Sequence, residues 1–290
     1  MIGNELVRPR SIEETCALLA RRHADGQGTV LLAGGTDLIV EEHLAPPSSS
    51  APAKRLVVDV SSLRELHRIE ERGDVIRLGG GVTYLALRTD PRITTRLPLL
   101  TAMAKDVGAL QIQARGTLAG NLATASPAAD GTCALAALDT VVGLASVRGE
   151  REVPLSAFYR GYKQTEREPD ELIAWIDVRV PSAGARWAWR KVGTRLAQAI
   201  SKVALAATAE LTDGVVHDVR LGMASVAPTT AFLPKTRASL EGRALGALDV
   251  DATLAALGED IAPIDDVRST AHYRLHVARA LIRELVRGFG

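Results

Sequence analysis

One segment restricts this chain more than any other: Gly116-Thr117-Leu118-Ala119-Gly120-Asn121-Leu122-Ala123-Thr124-Ala125-Ser126-Pro127-Ala128-Ala129-Asp130. It strings together small residues, hydroxyls, one amide and one carboxylate, with nothing bulky between Leu122 and Asp130. A backbone stripped of bulk can lie close against a ligand, and Thr117, Asn121, Thr124 and Ser126 supply hydrogen-bonding groups along it. Asp130 is suited to hold a sugar hydroxyl. A second small-residue turn, Ala33-Gly34-Gly35-Thr36-Asp37, follows directly on the apolar run Thr29-Val30-Leu31-Leu32. Two such turns, far apart in sequence, point to one phosphate-bearing ligand gripped from two sides. Taken alone, the shorter turn fits an ordinary strand-to-helix connection equally well. It is neither a P-loop, since no Gly-Lys-Ser/Thr follows, nor a GxGxxG dinucleotide fingerprint.

The rest of the composition narrows the chemistry by exclusion. A chain of 290 residues makes two or three compact units, and a 47% apolar fraction is enough for real cores. A net charge of +1, with both signs interspersed, offers no electrostatic case for a nucleic-acid partner. With only 3% aromatics, a flat ring ligand would be lined by aliphatic and small groups. Cys16 and Cys133 lack CxxC spacing, so the chain is expected to carry no iron–sulfur cluster or zinc site of its own, and both thiols are expected buried and reduced. His272 and His276 fall on one helical face, but without an HExxH arrangement they read as solvated histidines. Ser126 lacks a GxSxG elbow. No catalytic side chain and no metal site is expected. The first residues lack a signal-peptide apolar region and no run approaches a membrane span, so a cytoplasmic protein is expected unless a partner carries an export signal.

Periodicity sets the elements. Ser11 with Glu14 forms a capping box for a helix ending at 23–28. A strand at 30–33 runs into the glycine turn, a short helix follows Asp37, and the Pro-Pro-Ser-Ser-Ser-Ala-Pro stretch at 46–52 reads as a linker. Strands are expected at 56–60 and 75–78, forming a hairpin through the charged, turn-like run 68–74 between them. Thr83 caps a helix through Arg88; further helices are expected at 97–107 and 130–138, then a strand at 140–147 with a turn at 149–150. Past a boundary near 181–184 come strands at 187–192, 202–211 and 215–226, and helices at 248–257 and 273–289. That last third has no glycine-rich ligand loop and reads as structural.

The paired motifs, Ala33 to Leu38 and Gly116 to Asp130, resemble those of the FAD-binding subunits of the molybdenum hydroxylases, the xanthine dehydrogenase and carbon monoxide dehydrogenase group. The similarity extends to Leu78-Gly79-Gly80-Gly81-Val82-Thr83-Tyr84, to Gln111-Ile112, and to Asp266-Val267-Arg268-Ser269-Thr270-Ala271-His272-Tyr273-Arg274, in order along essentially the whole chain. The resemblance implies an α+β fold of the vanillyl-alcohol-oxidase (PCMH) type, with two FAD-binding subdomains (1–55 and 56–180) and a C-terminal domain of antiparallel sheet and helices (181–290). It implies that the backbone of Leu32, Ala33, Gly34, Gly35, Thr36 and Asp37 cradles the pyrophosphate. Thr117, Gly120, Asn121, Thr124 and Asp130 would contact the flavin, ribityl and phosphate portions. Lys191 matches a basic residue near the flavin; read without the resemblance, it is equally a surface strand lysine.

The chain also departs from the family. Gln113-Ala114 replaces the usual Arg-Asn pair after Gln-Ile, which puts polar groups near the flavin approach in doubt, and Ala119 replaces a glycine. The cysteine-bearing insertion of some benzoyl-CoA-type relatives is absent. The function implied is electron transfer within a heterotrimeric molybdenum hydroxylase, expected as a dimer of heterotrimers. Substrate would be oxidised at molybdopterin on a large subunit, and a small subunit with two [2Fe–2S] clusters would relay electrons to FAD here. NAD, oxygen or a quinone would accept them. The alternative is a stand-alone FAD-dependent oxidoreductase of the same fold; a scaffold subunit that has lost its flavin is a third reading, disfavoured by the intact small-residue segments.

Overall fold

Ser11 opens the first helix as its spacing to Glu14 predicts, with the Glu14 N–H donating to Ser11 Oγ at 3.1 Å and Cys16 and Leu19 turned inward. The structure, a computed structural model, describes residues 5–44 and 55–289; the linker expected at 46–52 lies outside the described residues. The first layer comprises β1 (Glu5–Val7), α1 (Ile12–Ala24), β2 (Thr29–Leu32), α2 (Leu38–Leu44) and β3 (Leu56–Asp59). β3 lies between β1 and β2 and pairs parallel with both, so residues beyond 55 complete this sheet. All of β3 is buried, as the Leu-Val-Val run of a central parallel strand requires. The turn at 33–37 leaves from the carboxyl edge of these strands, where open parallel sheets hold their ligands.

The second layer begins with β4 (Ile69–Arg72) and β5 (Val75–Gly79), which pair antiparallel, and continues through six short helices: α3 (Tyr84–Thr89), α4 (Pro91–Arg96), α5 (Pro98–Lys105), α6 (Leu110–Arg115), α7 (Leu118–Thr124) and α8 (Asp130–Ala136). It ends with β6 (Thr140–Ser146), β7 (Gly149–Pro154), the small pair β8 (Tyr159–Gly161) and β9 (Gln164–Thr165), and β10 (Leu172–Arg179). The antiparallel sheet runs β4-β5-β10-β6-β7. Three expectations are corrected. The run 68–74, expected as the turn of a hairpin between 56–60 and 75–78, itself holds strand β4 paired with β5, because β3 at 56–59 is drawn into the first sheet between β1 and β2; the helix expected at 97–107 is α5, opened by Pro98 at its first position, and the Asp90-capped α4 precedes it. Gly149 and Glu150 begin a strand rather than forming the turn, with Gly149 at φ +109°. The segment 116–130 is not one extended turn: its alanines build α7 under a Thr117 cap, and Ala125, left-handed at φ 50°, ends it.

The third layer is β11 (Arg186–Val192), β12 (Val203–Thr212) and β13 (Val215–Ala224), antiparallel in that order, followed by α9 (Pro234–Leu240), α10 (Val250–Asp260) and α11 (Ala271–Phe289). Strand alternation divides β12 between two cores. Val203, Leu205, Ala207 and Ala209 face the helices, meeting Leu254, Ala278 and Ile282. Ala204 and Ala206 face the other way, into the core that contains α8. Every residue of α8 is buried, as a helix wedged between β12 and β13 on one side and α5 and α7 on the other must be. Small side chains make the wedge possible. A Cβ at Gly222 would stand 2.2 Å from the Cys133 carbonyl oxygen and 2.8 Å from the Ala136 methyl. The Cys133 thiol donates to the Gly222 carbonyl at 3.2 Å, and burial pushes its ionisation far up, so it stays neutral. Gly222→Ala should therefore destabilise the chain by about 1–3 kcal/mol through overpacking. In urea the midpoint should fall at unchanged slope; an unchanged midpoint would show that α8 does not sit this close.

Candidate functional site

β2 delivers the chain into the turn at 33–37, where two glycines are required for different reasons. A Cβ on Gly34 would stand 2.0 Å from the Arg115 carbonyl oxygen and 3.0 Å from Gly116 Cα. Only glycine lets this turn lie on the start of the second motif. Gly35 has φ +74°, a left-handed conformation that side chains resist. Among the described residues, the N–H groups of Gly34, Gly35, Thr36 and Asp37 donate to no protein acceptor. Four consecutive free donors in a turn with a left-handed residue make a concavity suited to an anion.

The second motif is laid alongside. Residues 82–84 and 116–118 form a short antiparallel bridge, with the Tyr84 N–H on the Gly116 carbonyl at 3.1 Å and the Leu118 N–H on the Val82 carbonyl at 3.1 Å. Thr117 Oγ1 accepts from the Gly120 N–H at 3.0 Å and starts α7. At the far end of that helix, Thr124 Oγ1 lies 2.9 Å from Asp37 Oδ2 and 3.0 Å from the Gly120 carbonyl oxygen. The two motifs thus touch at both ends of α7. Asn121 uses its amide oxygen internally, accepting from the Thr132 N–H at 3.0 Å and bracing the start of α8.

Asp130 is buried and holds two partners: the Lys191 ammonium donates to Oδ2 at 2.6 Å and the Ser201 hydroxyl to Oδ1 at 2.5 Å. Lys191 also donates to the Asp106 carbonyl at 2.8 Å, and its side chain is 9% exposed, so it is not a surface strand lysine. Asp106 in turn accepts from Trp189 Nε1 at 2.8 Å. Burial pushes the Asp130 carboxyl above the ordinary range, against the opposing pull of Lys191 and Ser201. Removing either partner of such a pair strands a buried charge, at a cost of about 3–5 kcal/mol. Tyr84 is buried in the same region, and burial with Asp130 and Asp37 nearby drives its phenol well above its usual range.

The sequence reading located both motifs and Lys191, and the structure brings Asp37 to Thr124 and Asp130 to Lys191. It missed Ser201 and Asp106. Ser201 follows an exposed loop and Asp106 follows Lys105 at the end of a helix, so neither carries a local signal. Reading the last third as structural also missed that β11 and β12 complete the Asp130 environment. The glycines at 79–81 serve packing instead: a Cβ on Gly79 would stand 2.3 Å from the Leu66 carbonyl oxygen and one on Gly80 2.2 Å from that of Ile173. Gln113, one of the departures, is buried as an internal brace, its amide donating to the Val107 carbonyl at 2.8 Å. Two cavities, about 330 Å³ beside Arg148 and Glu171 and about 500 Å³ between β11 and α11, contain no residue of either motif.

Residues 2–183 match the FAD binding domain in molybdopterin dehydrogenase, and residues 187–288 match the CO dehydrogenase flavoprotein C-terminal domain. The chain is 29% identical to the nicotine 6-hydroxylase medium subunit of Paenarthrobacter nicotinovorans, over 96% of this chain and 94% of the relative. It is 28% identical to the carbon monoxide dehydrogenase medium chain of Hydrogenophaga pseudoflava, over 95% of this chain and 93% of that one. A solved carbon monoxide dehydrogenase from that organism superposes with a TM-score of 0.89 at 28% identity, covering 97% of this chain and 95% of its counterpart. Quinoline 2-oxidoreductase from Pseudomonas putida 86, at 23% identity and a TM-score of 0.85, shares the fold. With a family model spanning 2–183 and relatives matched along nearly their whole length, the chain belongs to the FAD-binding subunits of the molybdopterin-dependent oxidoreductases.

Proposed function

We propose that this chain binds one FAD non-covalently in the cleft where the two motifs meet and serves as the electron-exit subunit of its enzyme. The observation that carries the reading is the junction itself. Gly34 lies on the Arg115–Gly116 backbone and Asp37 reaches Thr124, while the four N–H groups of 34–37 stay unpartnered. That donor set fits a pyrophosphate, which needs several hydrogen bonds and close backbone approach. Leu32 through Asp37 hold the pyrophosphate; Thr117, Gly120, Asn121 and Thr124 line the path toward the ring end. Asp130 acts there through Lys191, since both its oxygens are already partnered. When bound, the flavin supplies reversible one- and two-electron chemistry. Lys191 contributes fixed positive potential to the ring end, held in place by Asp130 and the Asp106 carbonyl. No side chain acts as general acid or base.

Electrons enter from [2Fe–2S] clusters of a small partner subunit, after substrate oxidation at molybdopterin on a large one, and leave to NAD, oxygen or a quinone. The chain cannot hold such a cluster itself, since Cys16 and Cys133 are separately buried and a cluster takes about four protein ligands. The working assembly is a dimer of heterotrimers in the cytoplasm; no helix among the described residues is long and apolar enough to cross a membrane.

Two outcomes test this. Neither turn contains a histidine or cysteine to form a covalent flavin link. The purified chain should therefore be yellow with one FAD per polypeptide, all of it released by acid precipitation; a colourless chain that ignores added FAD would overturn the assignment. The holo-complex stripped of this subunit should still reduce its clusters with substrate yet fail to turn over with its acceptor, and adding back the FAD-loaded chain should restore turnover. Oxidation of a small organic substrate at a catalytic rate by the isolated chain would establish the stand-alone oxidoreductase instead.

A further inference from the structure

The run from Asp266 to Arg274 touches neither ligand motif, yet Arg274 is 2% exposed. Arg274 opens α11, whose attachment to the sheet is already provided by the apolar stripe of Val277, Ala278, Leu281 and Ile282. The guanidinium does something else. Nη1 donates to the carbonyl oxygens of Lys202 at 2.8 Å and Ser225 at 2.9 Å, and Nη2 donates to Asp266 Oδ1 at 2.8 Å. Asp266 is fixed in turn by the N–H groups of Arg268 at 2.8 Å and Ser269 at 3.0 Å. Against the upward push of burial, these donors and the Arg268 charge bring its carboxyl down to about 2. A charge this deep is held at some cost, and a planar fork of donors is suited to fixing several acceptors at once.

What it fixes lies next to the site. Lys202 follows Ser201, whose hydroxyl holds Asp130. Ser225 donates its N–H to the Pro127 carbonyl at 2.7 Å and its hydroxyl to the Ser201 carbonyl at 2.9 Å, and it does so in a left-handed conformation, φ +66°, that serine seldom adopts. The segment 127–130 is thus gripped by two serines, one just before β12 and one just after β13, and Arg274 ties the backbone beside both together behind them.

We propose that Arg274 is a positioning residue for the flavin end of the site: through Lys202 and Ser225 it sets Ser201 and the 127–130 segment, and so the placement of the Asp130–Lys191 pair. This rests on the FAD reading of the cleft. The test uses the full chain loaded with FAD and measures the dissociation constant and midpoint potential of the bound flavin, with the melting temperature of the FAD-free chain alongside. Lys191→Met sets the reference shift in potential. Arg274→Met and Ser201→Ala should shift the potential in the same direction as Lys191→Met, with FAD binding about tenfold weaker in Arg274→Met, the size expected for lost hydrogen bonds to a charged group. Arg274→Lys should restore part of the shift. If Arg274→Met does not fold, Ser201→Ala decides, because it removes one hydroxyl and no volume the core needs. Wild-type potential and affinity in folded Arg274→Met and Ser201→Ala, while Lys191→Met shifts, would show that Arg274 only anchors α11. An unshifted Lys191→Met would overturn the underlying reading of Lys191 at the flavin, and the proposal with it.

Discussion

The buried helix α8 is the constraint on which the rest of this molecule depends. Its seven residues, all buried, stand between the helices α5 and α7 and the C-terminal sheet. They can do so only because the facing strands present alanine and glycine: Ala204, Ala206, Ala224 and, at the closest point, Gly222. Interiors are packed as densely as crystals, so one methyl at that contact has nowhere to go. The same helix begins with Asp130. The docking that unites the layers therefore also carries the carboxylate to Lys191 of β11 and Ser201 at the head of β12.

Geometry at the other end of the site follows from backbone economy rather than from charge. Gly34 lets the turn lie directly on the Arg115–Gly116 backbone, and the Thr124–Asp37 hydrogen bond closes the far side. The site then has two characters. The end at 33–37 is neutral backbone with free N–H groups, and the end at Asp130 is a buried ion pair with Lys191. An extended cofactor with a charged middle and a flat, redox-active end suits that gradient, whereas a substrate needing proton transfer would find no free acid or base among these residues.

Much of this was legible in the sequence, for definite reasons. Small-residue runs after an apolar strand are rare enough to mark backbone approach, so both motifs stood out. Strand alternation located β11, β12 and β13, and the Ser11–Glu14 spacing located α1. What was not legible depended on tertiary partners. Alanines in 116–130 support a helix as well as a turn, and only the Thr117 cap and the bridge to residues 82–84 decide it. α4, six residues between Asp90 and Leu97, is too short to show a helical period. β10 is a buried central strand whose continuous apolar stretch has no helical or alternating signature. Ser201 gains its role from meeting Asp130 across 71 residues, a contact no local pattern encodes.

The central claim is that one FAD occupies the junction of the two motifs, with α7 along its length and Asp130–Lys191 at its ring end. Amide hydrogen exchange of the chain with and without saturating FAD reads this directly, because bound ligand protects the backbone groups it covers. The account predicts slowed exchange at 33–37, where the N–H groups are otherwise free, and along 117–130, with the sheet of β4, β5 and β7 unchanged. Protection elsewhere, or FAD binding that leaves 33–37 exchanging at its original rate, would contradict it.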